Sequence, residues 1–479
     1  MRKGSITIFA TLSMVLVLAV LFALLEGMRF QEIRRISQSQ TELSLESFFA
    51  KYKTDLWKKY HLLGSDDTTM LELLKESASA RENATEYGLN LFQTQVRDIQ
   101  INSTTRITDG DGAAFIYAVS SYMETQVLYE TLKSIYNQYE AIRSLIQSGE
   151  INRSSIEEAL ENIQSIQSQM QAQNGSDSTT IESETEDANR KPAPQIENPL
   201  ETIKNLQKMG VLELLISDTS TLSERLLQEN GLVSNRELQK GKNASIPEID
   251  WLDKVLFQQY LLSYFSNYCD TKENTSLSYE LEYILYGKSQ GIENLKLVAQ
   301  QLIGIREVLN FLYLMSNVKA QEEAGLLAIA LVGASVNPVI IETIKIGILT
   351  AWAFGESILD VRALLHGKKV PLIKSNDTWT LALADLGAIA QTNLMSKESA
   401  VGISYSDYLG ILIFFQNENS LAMHAMDLQE SGFQMDKLCI QADVTITYTY
   451  HAIFDFFQLI PMTFLENREI FTNAEFSYY

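Results

Sequence analysis

The apolar positions along this chain fall into two regimes. From Ile6 to Leu25 twenty successive residues carry no charge, enough for one helix to cross a hydrocarbon core of roughly 30 Å. Arg2 and Lys3 precede the run, and Glu26 and Arg29 follow it. Beyond it the pattern turns amphipathic: Gln31 to Leu62 holds neither proline nor glycine, and Ile33, Ile36, Leu43, Phe48, Tyr52, Leu56 and Tyr60 fall near one helical stripe. Lys58, Lys59 and Gly64 suit a helix end. Together these stretches predict one rod of about 55 residues, roughly 80 Å long at the usual helical rise, with its first part in lipid.

The remainder mixes both periods. Gln95 to Ile107 comes close to strict alternation and predicts a strand, closed by the turn Thr108-Asp109-Gly110-Asp111-Gly112. Ala113 to Ala172 has helical spacing interrupted at Ser148 to Asn152, which predicts a helical hairpin. Residues 173–199 are rich in serine, acids and proline and predict a linker. Leu200 to Leu232 returns to helix, and Val233 to Pro247 reads as loop. From Ile249 onwards helical segments are dense: Leu252 to Tyr268, Leu277 to Tyr286, Ile292 to Ser316 and Tyr405 to Glu430. Leu326 to Phe354 is mostly apolar, but Pro338 divides it, and Glu342 and Lys345 are costly in lipid. A buried helix pair is therefore expected there rather than further spans. Residues 370–373 and 379–383 suggest short strands. Leu438 to Tyr450 is the clearest strand, with Ile440, Ala442, Val444, Ile446, Tyr448 and Tyr450 alternating with polar residues. Pairing it with Gln95 to Ile107 joins the two ends of the body and makes the helices between about 113 and 245 an insertion.

The fold class that follows is α+β, mainly α: a long N-terminal transmembrane helix feeding an extracytoplasmic helical body with a small antiparallel sheet. The expected organisation is a cytoplasmic leader (1–5), span (6–25), stalk (26–62), strand-containing part (63–112), hairpin insertion (113–172), linker (173–199), helical segment (200–248) and main core (249–479). Charge on its own leaves orientation open, since Arg2 and Lys3 oppose Arg29, Arg34 and Arg35. A long domain translocates largely regardless of flanking charge, which favours the body outside.

Composition narrows the partners. A formal net charge of −22 over 479 residues excludes an easy basic face for nucleic acid. Cys269 and Cys439, the two cysteines, are in no metal-like spacing and form a candidate disulfide in an oxidising compartment. No catalytic, cofactor or metal constellation emerges. Gly287-Lys288-Ser289 lacks the glycine a phosphate loop needs, because that position is Glu282. His61, His366, His424 and His451 have no ligating spacing. Glu356, Asp360 and Arg362, on a strongly apolar stretch, are expected to form a buried ion network.

Arg2-Lys3-Gly4 followed directly by an apolar helix looks like a type IV prepilin leader, cut between Gly4 and Ser5. Prepilins usually carry Glu at the fifth position after the cut; here it is Phe9, so an uncleaved signal anchor stays open. Several stretches resemble an uncharacterised Gram-positive family of single-span exported proteins, akin to the pseudopilin-like proteins of tight-adherence pilus systems. They are Lys3-Gly4-Ser5-Ile6-Thr7-Ile8-Phe9, Leu25-Glu26-Gly27-Met28-Arg29, residues 52–60, 282–288, 306–313 and 351–357, and the block from Asp360 to Lys374. The resemblance implies a pilus or secretion setting, with the lipid bilayer and other pilin-like or secretion-apparatus proteins as partners, and no catalytic residues. The expected function is that of a membrane-anchored structural component. The alternative is an anchored ligand-binding or sensor module with its pocket in residues 250–450, for a small-molecule ligand the sequence does not identify.

Overall fold

The computed structural model describes residues 3–79, 92, 94–149, 154–174, 198–228, 231–273, 275–333, 336–390, 392–430, 433–451 and 468–479. The helices are α1 (Lys3–Phe49), α2 (Thr54–Tyr60), α3 (Met70–Ser79), α4 (Ala113–Glu124), α5 (Tyr129–Ser148), α6 (Ser154–Asn174), α7 (Pro199–Lys208), α8 (Val211–Leu215), α9 (Trp251–Tyr264), α10 (Glu280–Tyr286), α11 (Gly291–Ser316), α12 (Val318–Val332), α13 (Pro338–Leu365), α14 (Tyr405–Phe415) and α15 (Glu418–Gln429). The strands are β1 (Ser65–Asp66), β2 (Thr94–Arg106), β3 (Leu438–Tyr450) and β4 (Arg468–Ser477). Mainly helical with one small antiparallel sheet, the chain is α+β as its sequence predicts. It forms two compact units: residues 1–128, 230–260 and 418–479, and residues 129–229 and 261–417.

In the first unit β3 is the central strand. It pairs antiparallel with β2 along one edge, and with β4 and β1 along the other. The pairing of β2 with β3 expected from their alternation is present, with Ile99 opposite Ile446 and Ile101 opposite Val444. β4 adds a strand the sequence reading does not contain, although Ile470, Thr472 and Ala474 alternate inward along it. The inward face of β3, from Ala442 to Tyr448, is buried. Its outward face is polar, and Asn102 donates to Thr445 Oγ1 at 2.8 Å.

The second half of α1 packs on this sheet. Ile33, Ser37, Thr41, Leu45 and Phe48 make a buried stripe at helical spacing. Thr41 Oγ1 lies 2.6 Å from Thr472 Oγ1, and Gln38 Nε2 donates to the Asn473 carbonyl at 2.7 Å. Phe49 stacks on Phe476 with ring centres 4.5 Å apart. Burying such a ring contributes about 1.5–3 kcal/mol relative to leaving it in water. From Ile6 to Leu25 the helix leaves the body, and its large side chains are mostly exposed.

The rod is not continuous. It ends at Phe49, and α2 starts only at Thr54. Without proline or glycine, this break comes from tertiary contacts. The Phe49 carbonyl accepts from the Tyr478 hydroxyl and from Ser65 Oγ, and the Lys53 N–H turns to the Gly64 carbonyl. Those bonds replace the helical ones that a longer rod needs.

In the second unit α13 is the axis. From Gly347 to Leu365 every residue is buried, and apart from Thr350, Glu356, Ser357, Asp360 and Arg362 all are apolar or glycine, the pattern of a core helix. It is packed by α11, α12, α6, α7 and α8. Residues 113–172 form three helices, not a two-helix hairpin. α4 belongs to the first unit, α6 packs along α13, and α5 packs on α11 and α14. The inserted part is larger than the sequence implies, since it takes in residues 261–417 as well. The strands expected at 370–373 and 379–383 are absent. Val370 makes one bridge to Ile403, and residues 383–388 are a 3-10 helix. The segment expected as one helix from Tyr405 to Glu430 is split into α14 and α15. Most of the expected linker, residues 175–197, lies outside the described residues.

Candidate functional site

The second unit contains a buried polar constellation built on two helices at four-residue spacing, which puts each pair on one face. Arg306 and Asn310 come from α11, and Glu356 and Asp360 from α13. Lys374 and Ser396 reach in from the irregular segment between Val370 and Ser404. Arg306 Nε donates to Asp360 Oδ2 at 2.9 Å, and its other nitrogens reach Asn310, the Tyr408 hydroxyl and the carbonyls of Pro371 and Leu372. Lys374 Nζ lies 2.7 Å from both Glu356 Oε1 and Asp360 Oδ1 and donates to Ser396 Oγ at 3.1 Å. Glu356 also accepts the backbone N–H groups of Thr380 and Leu381. The four charged side chains have no solvent exposure, and two cations balance two carboxylates. Burial works to raise the Asp360 pKa, but Arg306 and Lys374 outweigh it and hold the carboxyl below its usual range. For Glu356 burial, then the Asp360 charge, push the pKa up further than Lys374 and the Leu381 N–H pull it down.

This corrects the expected membership. Glu356 and Asp360 are brought together, but Arg362 is not part of the network. Two residues beyond Asp360 on a helix is about 200° of rotation, so Arg362 points away. It instead donates to the carbonyls of Leu214, Ile389, Thr392 and Leu394. The cations the sequence reading missed are Arg306 and Lys374. The signal for Arg306 was a single arginine between Ile305 and Leu309 on an apolar helix. The network consumes its hydrogen-bonding capacity internally, and its effect is to clamp residues 371–396 onto α11 and α13.

The clamped segment forms one wall of a cleft of about 310 Å³, lined on its other side by the end of α11, the start of α12, and α13. Trp379 stacks on Tyr313 with ring centres 5.3 Å apart, and Trp352 meets Trp379 edge-on at 5.6 Å. Both indoles donate to the Leu381 carbonyl, at 2.8 and 2.7 Å.

The other candidates stand apart. Gly4 and Ser5 lie in the first turn of α1. Cys269 and Cys439 are free thiols and not a disulfide. Cys269 is exposed as a residue, but its sulfur is turned inward and donates to the Leu364 carbonyl at 3.4 Å; Cys439 is buried. Burial first, aided by nearby acids, pushes both thiols up to about 12. Glu282, fully buried on α10, accepts from the Tyr405 hydroxyl and the Tyr268 N–H, and burial raises its carboxyl to about 7. Among the described residues no group of three or more His, Cys, Asp or Glu is arranged to hold a metal ion.

Residues 189–450 match the model of a family of unknown function, DUF5702. The chain belongs to that family. No curated protein and no solved structure matches it. The matched span of this DUF5702 member includes the whole ion network, the aromatic cleft and β3, and excludes α1 and β2.

Proposed function

We propose that this chain is a membrane-anchored, pilin-like assembly component of a bacterial pilus or secretion apparatus, with its body extracytoplasmic. One observation carries the reading: α1 has an exposed, uncharged first half and a second half packed against an antiparallel sheet. A helix of this form is held by its own body at one end and offers the other to lipid and to similar helices. The anchor half carries Phe9 in place of the usual prepilin Glu, so association of rods there rests on packing and on small residues such as Ala10 and Ala19 rather than on charge. The body is then displayed by the assembly and supplies no chemistry to it. Purification from native membranes tests this: pilin subunits recovered with the full chain, and a mature N-terminus at Ser5, are the expected results. A solitary protein beginning at Met1 would overturn the reading.

A further inference from the structure

We propose that the cleft of Tyr313, Trp352 and Trp379 is a binding site for a neutral saccharide of one or two rings. The inference does not rest on the pilin-like reading. Three features point to this ligand class. The first is a rigid aromatic wall: Tyr313 and Trp379 are half-buried cleft-lining rings, Trp379 held by the Leu381 carbonyl that it shares with Trp352 and Tyr313 by its hydroxyl donating to Asn376 at 2.8 Å. The segment carrying Trp379 is itself pinned, because the Thr380 and Leu381 N–H groups are held by buried Glu356. A ring surface that is ordered before binding costs little further entropy to use.

The second feature is the polar rim. Asn376 Oδ1 is spent on the Tyr313 hydroxyl and on Asn317 Nδ2, which leaves the exposed Asn376 amide N–H groups as donors. Lys319 and Glu323, both exposed, line the same cleft with opposite charges. A rim of amide, ammonium and carboxylate around an aromatic wall suits a ring with one apolar C–H face and equatorial hydroxyls. The charges cancel, which argues for a neutral ligand.

The third feature separates a sugar from a proline-rich peptide. Aromatic grooves also accept extended peptides, and the indole N–H or tyrosine hydroxyl of such a ring is the polar handle that can meet a peptide carbonyl. Here both indole N–H groups and the Tyr313 hydroxyl proton are already committed inside the protein. Tyr313 and Trp379 give one face to each other, and what they have left for a ligand is the surface that lines the cleft. A cleft of about 310 Å³ is at the small end of ligand sites, which matches one or two rings and not a drug-sized molecule.

The test is a calorimetric titration of the detergent-solubilised full chain with N,N′-diacetylchitobiose, maltose and a proline-rich decapeptide, each in parallel. Saturable binding of either sugar is expected, weakened at least about tenfold (about 1.4 kcal/mol) in both Asn376→Ala and Trp379→Ala. Asn376 is exposed, so its truncation costs only two hydrogen bonds at the surface and is expected to leave the chain folded, and it serves if Trp379→Ala loosens the fold. No heat from either sugar up to about 20 mM, where free energies fall to a few kcal/mol, would overturn the proposal. So would binding of the peptide alone, or sugar binding undiminished in Asn376→Ala.

Discussion

Lys374→Met is the sharpest probe of the ion network. The wild-type site balances Arg306 and Lys374 against Glu356 and Asp360, with no solvent exposure at any of them. Methionine keeps most of the lysine volume and removes the ammonium. Asp360 still has Arg306, but Glu356 keeps only Ser396 and the Thr380 and Leu381 N–H groups. Breaking a buried pair by removing one partner costs about 3–5 kcal/mol. For a unit of this size that is a fall of roughly 6–20 °C in Tm. The loss has an escape: Glu356 can take a proton, at about 1.4 kcal/mol for each pH unit by which the medium exceeds its folded pKa. That pKa is already raised by burial and by Asp360, and losing Lys374 raises it further.

The sign of the pH effect follows. A carboxyl with a folded pKa above its unfolded value stabilises the protein at low pH and loses that contribution as pH rises through the folded value. The Lys374→Met loss is therefore expected to be largest at pH 8 and smaller at pH 5. Adding Glu356→Gln removes the orphaned charge but turns one acceptor of an N–H into a donor, so recovery should be about half. Hydrogen exchange of α13 amides in the full chain gives the local reading, since 3–5 kcal/mol corresponds to roughly 10²–10⁴-fold faster exchange where opening is limited by this unit. A Tm change under about 3 °C at pH 8, or a double variant as unstable as the sum of its singles, would refute the claim that these charges act as one buried cluster.

Three other changes are informative. Glu282 has a folded pKa raised from 4.5 to about 7, so it contributes stability below about 4.5 that is lost as pH rises to about 7, at most about 3 kcal/mol; Glu282→Gln is expected to match wild type at pH 5 and to melt higher at pH 8, and equal melting at both pH values would count against it. Arg362→Met strips the donor from four backbone carbonyls at Leu214, Ile389, Thr392 and Leu394, for an expected loss of about 3 kcal/mol or more in urea unfolding; a loss under about 1 kcal/mol would show that water replaces the guanidinium there. Both thiols sit at about 12, so native alkylation at pH 8 should be slow, while denaturation without reductant should yield two labels by intact mass; zero labels would reveal a disulfide.

What could be read from sequence was what local pattern alone determines. β3 and its pairing with β2 followed from alternation, because one buried face forces register. α11 and the uncharged half of α1 followed from spacing and length. The misses share a cause. The break after Phe49 is made by Tyr478 and Ser65, and Tyr478 is more than four hundred residues away in the chain. Arg306 and Asp360 are 54 residues apart, and no spacing rule links an arginine on one helix to a carboxylate on another. Arg362 was nearer to Asp360 in sequence, and that proximity misled, since two residues along a helix separates faces rather than joining them. β4 was open to reading, because its inward positions alternate as those of β3 do.

By length and hydropathy α1 and α13 both qualify as membrane spans, yet they have opposite surroundings. The uncharged run of α1 is exposed, while α13 is buried from Gly347 to Leu365. What separates them in the sequence is charge within the apolar pattern of α13: Glu342 and Lys345 near its start, and Glu356, Asp360 and Arg362 in its buried part. In hydrocarbon an unpaired carboxylate is costly and a matched cation must come from another helix. In a protein core the same carboxylates are tolerable only if a full set of partners is delivered, here from α11 and from the segment carrying Lys374. Charges on an otherwise apolar helix thus specify a crowded polar surround, and that requirement is what draws residues 371–396 over α13 and forms the wall of the aromatic cleft. An apolar helix free of such charges, as in the first half of α1, demands nothing from the rest of the chain and stays exposed along its uncharged run.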